Sequence, residues 1–279
     1  MDRELGKERI PGEPGEQLIG SNGISQLTWA ASRVRGTIDA GEVHLWAWTL
    51  EAAGIDLSPH LEILDHQERE RLQRFHFAPD RARFAVAHAN LRRILGTYLN
   101  QPGERVRFHA NQFGKPELTD NDPLSPLSFS LSHSRSIAVL AVANGRPVGV
   151  DVEDVRPIEP AVADTHFSAT ECSHLSQLEG DAWLSGFYRC WTRKEAILKA
   201  EGVGLHRALD SFDVSLLADQ PAKLLETRER FSHPWKLHHL SPAQGTIGAL
   251  ATAQPGATLA CFSFLADSDY SGHYAPRSC

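Results

Sequence analysis

Residues 137–153 read IAVLAVANGRPVGVDVE. Ile137 to Ala143 is a continuous apolar run, the pattern of a strand buried on both faces. Asn144-Gly145 is hairpin-turn chemistry, so Val148 to Glu153 is expected to fold back on that run as its second arm. Within this arm Val150 and Val152 face a core, while Asp151 and Glu153, two residues apart, share the opposite face. Neighbouring carboxylates repel and resist burial unless a cation or a proton separates them. A hard divalent ion such as Mg2+, bound through oxygens, would relieve the repulsion and keep waters for a phosphate. A solvent-facing edge carrying two screened charges is the plainer alternative.

Reading outward, Leu127 to Ser132 alternates apolar with small polar residues, and His44 to Leu50 alternates in a strand-like way. Asp65 to Phe75 is a charged helical stretch. Pro79-Asp80 opens a longer helix in which Phe84, Ala87, His88, Leu91, Ile94, Leu95 and Tyr98 recur at helical spacing. A further helix runs from Phe187 to Ala200 and stops near Gly202. Short strands are expected over 212–216, 235–240 and 259–264. Strands and helices mix without regular βαβ alternation, so the fold class is α+β. The expected organisation is an N-terminal extension (1–40), an N-terminal half (41–147), a C-terminal half (148–266) and a tail (267–279).

The chain carries 28 basic and 35 acidic residues among 279, a net charge of −7 that disfavours a nucleic-acid coat. Against that background, residues 66–107 hold nine arginines and four acids. A local basic patch suits a compact polyanion, although an arginine-rich solvated helix face has the same composition. Cys172, Cys190, Cys261 and Cys279 form no CxxC pair, which argues against a zinc knuckle or a disulfide framework. No apolar run reaches the roughly 18 residues of a membrane span, and the N-terminus lacks the apolar core of a secretory signal. A reduced, cytoplasmic protein without membrane or nucleic-acid partners is expected.

Trp191, Glu195 and Lys199 are spaced i, i+4, i+8 and lie along one side of their helix. Glu195 is a third carboxylate able to join the strand pair, and Lys199 is a cation for a phosphate oxygen. The same two residues also fit an ordinary surface pair. Ser132-His133-Ser134 is a poor nucleophile motif, since adjacent residues of a strand point apart and no GxSxG elbow surrounds them. His133 fits better as a donor to phosphate. Lys115 lies in the turn Gly114-Lys115-Pro116.

GVDVE (149–153) followed by FYRCWTRKEAILKAEGVGL (187–205) resembles the paired signature of the Sfp-type 4′-phosphopantetheinyl transferases. The resemblance extends, in order, through RFHFAPDRARF (74–84), FGKP (113–116), FSLSHS (129–134) and His166-Phe167-Ser168 with Glu171. It implies two similar α+β halves related by a pseudo-two-fold, with coenzyme A in the cleft between them. The implied reaction moves 4′-phosphopantetheine from coenzyme A to a serine of an apo acyl- or peptidyl-carrier protein, releasing 3′,5′-ADP. Asp151, Glu153 and Glu195 become Mg2+ ligands or, for a glutamate, the base, with Glu195 the first candidate for that role and Glu153 the second. Lys199 and His133 become diphosphate contacts, Lys115 and Ser132 lie by the adenosine end, and Arg71 and Arg83 face the 3′-phosphate. Glu68 stands where some members carry lysine, and Arg69 is the substitute at hand. A non-catalytic carrier- or nucleotide-binding homologue is the alternative, and a monomer is expected. The stretch 156–186, with Phe167 and Trp183, is the candidate surface for the carrier, or else those aromatics belong to the core.

Overall fold

The computed structural model describes residues 18–19, 25–26, 29–32, 36–50, 55–119, 126–253 and 256–264. Most of the expected extension over 1–40 and all of the tail over 267–279 lie outside the described residues. In chain order, β1 (Leu18–Ile19) and β2 (Ser25–Gln26) pair with each other, and β3 (Ala30–Ser32) precedes β4 (Glu42–Thr49). Three helices follow: α1 (Ser58–Leu61), α2 (His66–Gln73) and α3 (Ala78–Tyr98). A small hairpin of β5 (Phe108–Ala110) and β6 (Pro116–Leu118) leads to β7 (Leu127–His133), β8 (Ile137–Asn144) and β9 (Val148–Asp154). Beyond them lie α4 (Ala161–His166), α5 (Ala169–Leu175) and α6 (Gly180–Glu201). The chain then forms β10 (Phe212–Val214), β11 (Leu224–Thr227), β12 (Lys236–Leu240), β13 (Thr246–Thr252) and β14 (Thr258–Phe264).

Two sheets carry the α+β fold. The first runs β3-β14-β4-β8-β7 and the second β12-β13-β9. Alternate residues of the first sheet, such as Trp46, Leu140 and Phe262, pack with Val86, Leu91 and Ile94 of α3. The intervening ones, Leu45, Val139 and Ala141, meet Val150 and Val152 of β9 and Leu250 of β13. On the far side of the second sheet, Ala249 and Ala251 pack with Phe187, Ala196 and Ile197 of α6. The layers are therefore helix, sheet, sheet, helix. Two-sided burial explains why β8 reads as an uninterrupted apolar run.

The structure corrects the expected hairpin. Gly145 does take the left-handed conformation of a tight turn (φ 72°), but β8 pairs with β4 and β7, and β9 pairs with β13. Both edges of β8 are occupied, so β9 has no free edge of β8 to join. The chain turns instead from the first sheet into the second. Ala30–Ser32 adds a parallel edge strand beside β14, and Trp29 packs against the central core.

Helix ends follow local chemistry. Asp65 and Glu68 form a capping box at the start of α2, each side chain accepting from the other's backbone N–H. α6 stops at Gly202, whose φ of 72° is the left-handed cap that glycine tolerates. The basic segment is not simply a solvated face. Arg92 is fully buried, with Nε 2.6 Å from Glu68 and a second bond to Asp65, and His88 Nδ1 lies 3.0 Å from Glu68. This network holds α2 on α3.

Candidate functional site

The edge strands of the two sheets, β7 and β9, meet side by side without a backbone ladder between them. Serine hydroxyls make the seam. Phe129 on β7 faces the α3 core. Ser130, Ser132 and Ser134 turn the other way, and their Oγ atoms accept from the N–H groups of Val150 (3.1 Å), Val152 (3.3 Å) and Asp154 (2.9 Å). The alternation of small polar residues along β7, legible in the sequence, thus marks a polar seam between sheets and not a solvent face.

On the other face of β9, α6 comes unusually close. A Cβ at Gly149 would stand 2.1 Å from the Ala196 carbonyl oxygen and 2.4 Å from the Ala200 nitrogen, so only glycine fits there. That approach brings Lys199 onto Asp151. Lys199 Nζ donates to Asp151 Oδ1 at 2.6 Å and to Ser132 Oγ at 2.9 Å, and Ser132 Oγ donates to Asp151 Oδ1 at 2.8 Å. Asp151 is only 4% exposed. Its other oxygen, Oδ2, is buried and has no hydrogen-bond partner.

Glu153 and Glu195 feel this buried charge. Burial, then the Asp151 carboxylate, push Glu153 up to about 6, against the opposing pull of Ser134, Lys199 and Arg156. Burial and Asp151 likewise raise Glu195, with Lys199 opposing. His133 at the end of β7 is pushed down to about 4, first by desolvation and then by His88, Lys199 and Arg71. The ring retains solvent contact, which tempers desolvation, but three basic groups facing it fix the direction. It is neutral near neutral pH.

The structure therefore gathers Asp151, Glu153, Glu195, Lys199, Ser132 and His133, with Arg71 within electrostatic reach of His133. Arg71 is exposed and lies over the Phe84 ring, 5.2 Å from its centroid. Arg83 Nη1 is bonded to Asp80 at 2.9 Å, while its Nε is buried without a partner. Lys115 stands at the other end of β9, Nζ 3.4 Å from the Val148 carbonyl, and burial lowers it to about 8. Glu68 is occupied by Arg92 and His88, and Arg69 donates to the Glu62 carbonyl at 3.2 Å. Among the described residues, no group of three or more His, Cys, Asp or Glu side chains is clustered tightly enough to hold a metal ion as it stands. The donor set nonetheless suits a hard cation. It offers carboxylate oxygens only, one of them buried and unsatisfied.

The sequence shows Ser134 and Gly149 only inside motifs and gives neither a role at the site. It also offers Phe167 as a docking aromatic or a core one. It is core, 5% exposed, and Trp183 is half-buried against Phe187, with ring centroids 5.7 Å apart.

Two family models match the chain. Residues 147–254 match the 4′-phosphopantetheinyl transferase superfamily, and residues 48–145 match a 4′-phosphopantetheinyl transferase N-terminal family. The 4′-phosphopantetheinyl transferase HetI of Nostoc sp. is 35% identical over 230 residues, which cover 82% of this chain and 94% of that one. The 4′-phosphopantetheinyl transferase Sfp of Bacillus subtilis is 31% identical over 159 residues, 57% of this chain and 69% of its own. A Xenopus laevis L-aminoadipate-semialdehyde dehydrogenase-phosphopantetheinyl transferase is 27% identical, over 68% of this chain and 70% of its own.

Proposed function

This chain belongs to the 4′-phosphopantetheinyl transferase superfamily, and we propose that it transfers the 4′-phosphopantetheine group of coenzyme A to a serine hydroxyl of an apo acyl- or peptidyl-carrier protein, releasing 3′,5′-ADP. The observation that carries the chemistry is Asp151. A buried carboxylate with one oxygen held by Lys199 and Ser132, the other unsatisfied, and two further acids within electrostatic reach is an unstable arrangement unless a second cation completes it.

Mg2+ fits that oxygen-only donor set, with Asp151, Glu153 and Glu195 as the residues that would hold it. When bound, it would neutralise charge on the diphosphate oxygens. Lys199 supplies a second positive charge, exchanging its bond to Asp151 for one to a phosphate oxygen. His133, being neutral, donates a hydrogen bond without adding charge. Arg71 and Arg83 are assigned to the 3′-phosphate. Lys115 and Ser132 are assigned to the adenosine end, although Ser132 also bonds Asp151 and Lys199 directly.

The carrier serine is a weak nucleophile near neutral pH, and its proton must leave as the oxygen attacks. Glu195, raised by burial and then by the Asp151 carboxylate, is the base we assign, with Glu153 second. The serine Oγ–P bond forms, the diphosphate P–O bond to 3′,5′-ADP breaks, and the serine proton passes to the carboxylate.

The proposal includes a cytoplasmic monomer of two α+β halves meeting near residue 147. Cys172, Cys190 and Cys261 are free thiols, in keeping with a reducing compartment. Among the described residues, no helix is long and apolar enough to cross a membrane. Intact mass spectrometry of an apo carrier incubated with this protein, coenzyme A and Mg2+ tests the reaction. A gain of one phosphopantetheine is expected, and it should vanish with EDTA or when the carrier serine is replaced by alanine. No gain with either carrier class would overturn the proposal.

A further inference from the structure

Ser134 lies one residue beyond the histidine assigned to the diphosphate, and none of the chemistry above uses it. Its Oγ accepts the Asp154 N–H at 2.9 Å and donates to Glu153 Oε2 at 3.1 Å. Because the backbone N–H occupies the oxygen from one side, the hydroxyl hydrogen is directed at the carboxylate. The turn carrying Ser134 is tied to β9 a second time. Asp154 Oδ2 accepts the Ser136 N–H at 3.0 Å, and the Ser136 hydroxyl bonds the same carboxylate. Asp154 is thereby committed to the turn, and Glu153 is left as the acid at this end of β9 that faces the Asp151 cluster.

Glu153 needs such a tether. It stands on the same face as Asp151, whose charge repels it, and a repelled, partly buried carboxylate will swing toward solvent unless something holds it. Ser132 tethers Asp151 in the same way a rung earlier, donating to it at 2.8 Å. Ser130 makes the same kind of seam bond, to Val150 N–H at 3.1 Å, but it lies a further rung away from Glu153. The ladder thus contains its own control.

We propose that Ser134 is a positioning residue that aims the Glu153 carboxylate into the active site, across the seam between the two sheets. The inference rests on the proposed role of Glu153 there.

The test compares Ser134→Ala, Ser134→Thr, Ser130→Ala and Glu153→Gln in the full chain. It measures Mn2+ affinity by electron paramagnetic resonance without coenzyme A, kcat and KM for transfer, and Tm. Loss of a hydrogen bond behind a ligating carboxylate weakens metal affinity or activity by about tenfold or more. Ser134→Ala is therefore expected to lose roughly tenfold in Mn2+ affinity and in kcat, with KM for coenzyme A changed less than about twofold. Ser134→Thr keeps the hydroxyl and recovers both. Ser130→Ala lowers Tm by a similar amount but retains Mn2+ affinity and kcat. If Ser134→Ala matches Ser130→Ala in Mn2+ affinity and kcat, or Ser134→Thr is as impaired as alanine, the inference is wrong while a crippled Glu153→Gln still upholds the active-site reading. If Glu153→Gln itself keeps wild-type affinity and turnover, the role of Glu153 fails, and that of Ser134 with it.

Discussion

α6 carries two lysines five residues apart, and each is paired with a carboxylate from another element. Lys194 is fully buried and lies 2.8 Å from Glu171, which is 1% exposed. Lys194 also donates to the carbonyls of Leu209 (2.6 Å) and Phe212, and Glu171 accepts from the N–H groups of Ser168 (3.0 Å) and Val214 (2.8 Å). Every oxygen and most of the donor capacity of that pair is used. The Lys199–Asp151 pair is the opposite case: the lysine side chain keeps 31% exposure and one Asp151 oxygen has no partner. A saturated buried pair joins α5, α6 and β10 and can do nothing else. An unsaturated pair beside two acids that burial and the Asp151 charge push up is free to exchange partners, as the proposed diphosphate contact of Lys199 requires.

The contrast is broken most severely if Asp151 proves dispensable. Asp151→Ala should lower carrier modification by roughly a thousandfold, while Tm moves by no more than a few degrees; the rate of carrier mass gain and a thermal melt read the two together. Glu195→Gln should cost about a hundredfold or more in turnover, the usual worth of a general base, with coenzyme A still bound in a calorimetric titration. Lys194→Met tests the other pair. It leaves Glu171 buried and unpaired, so stability should fall by about 3–5 kcal/mol in urea unfolding, while the fraction that stays folded turns over within about twofold of wild type.

A subtler distinction lies in pH. Glu153 sits at about 6 in the folded chain against an ordinary 4.5. Stability associated with its protonation is complete below 4.5, drains as pH rises, and is lost above about 6. Metal-free Glu153→Gln should therefore be more stable than wild type by about 1 kcal/mol at pH 8, with the difference closing below pH 4.5; a gap that widens in acid would contradict this. The smallest effect concerns Arg69, whose guanidinium is engaged by the Glu62 carbonyl. Arg69→Ala should shift the KM for coenzyme A by less than about twofold, since a surface contact of this kind carries little energy.

The sequence revealed some features of this site and hid others for definite reasons. GVDVE put Val150 and Val152 on one face and Asp151 and Glu153 on the other, because strand periodicity is local, and the structure keeps that division. The hairpin with β8 was misread because turn chemistry at Asn144-Gly145 says that the chain reverses, not which strand receives it. From its spacing Lys199 reads as a cation for a phosphate oxygen, with an i+4 pair to Glu195 as the plainer alternative. The structure pairs it with Asp151, 48 residues away, through an approach that depends on the missing side chain of Gly149. Lys194 and Glu171 gave no sign of being a buried pair, because nothing in their local pattern distinguishes a desolvated lysine from a solvated one.

By itself the sequence determined the α+β class, the two-faced strands, the glycine stop of α6, and the chemical types available to the site. Each of these follows from neighbours within a few residues, where propensity and periodicity act. Only the tertiary structure decided which edge β9 joins, which serines close the seam, and which acid keeps an unsatisfied oxygen. Pairing and desolvation depend on atoms brought together from distant stretches of the chain, and the same carboxylate is structural or reactive according to how many of those atoms reach it.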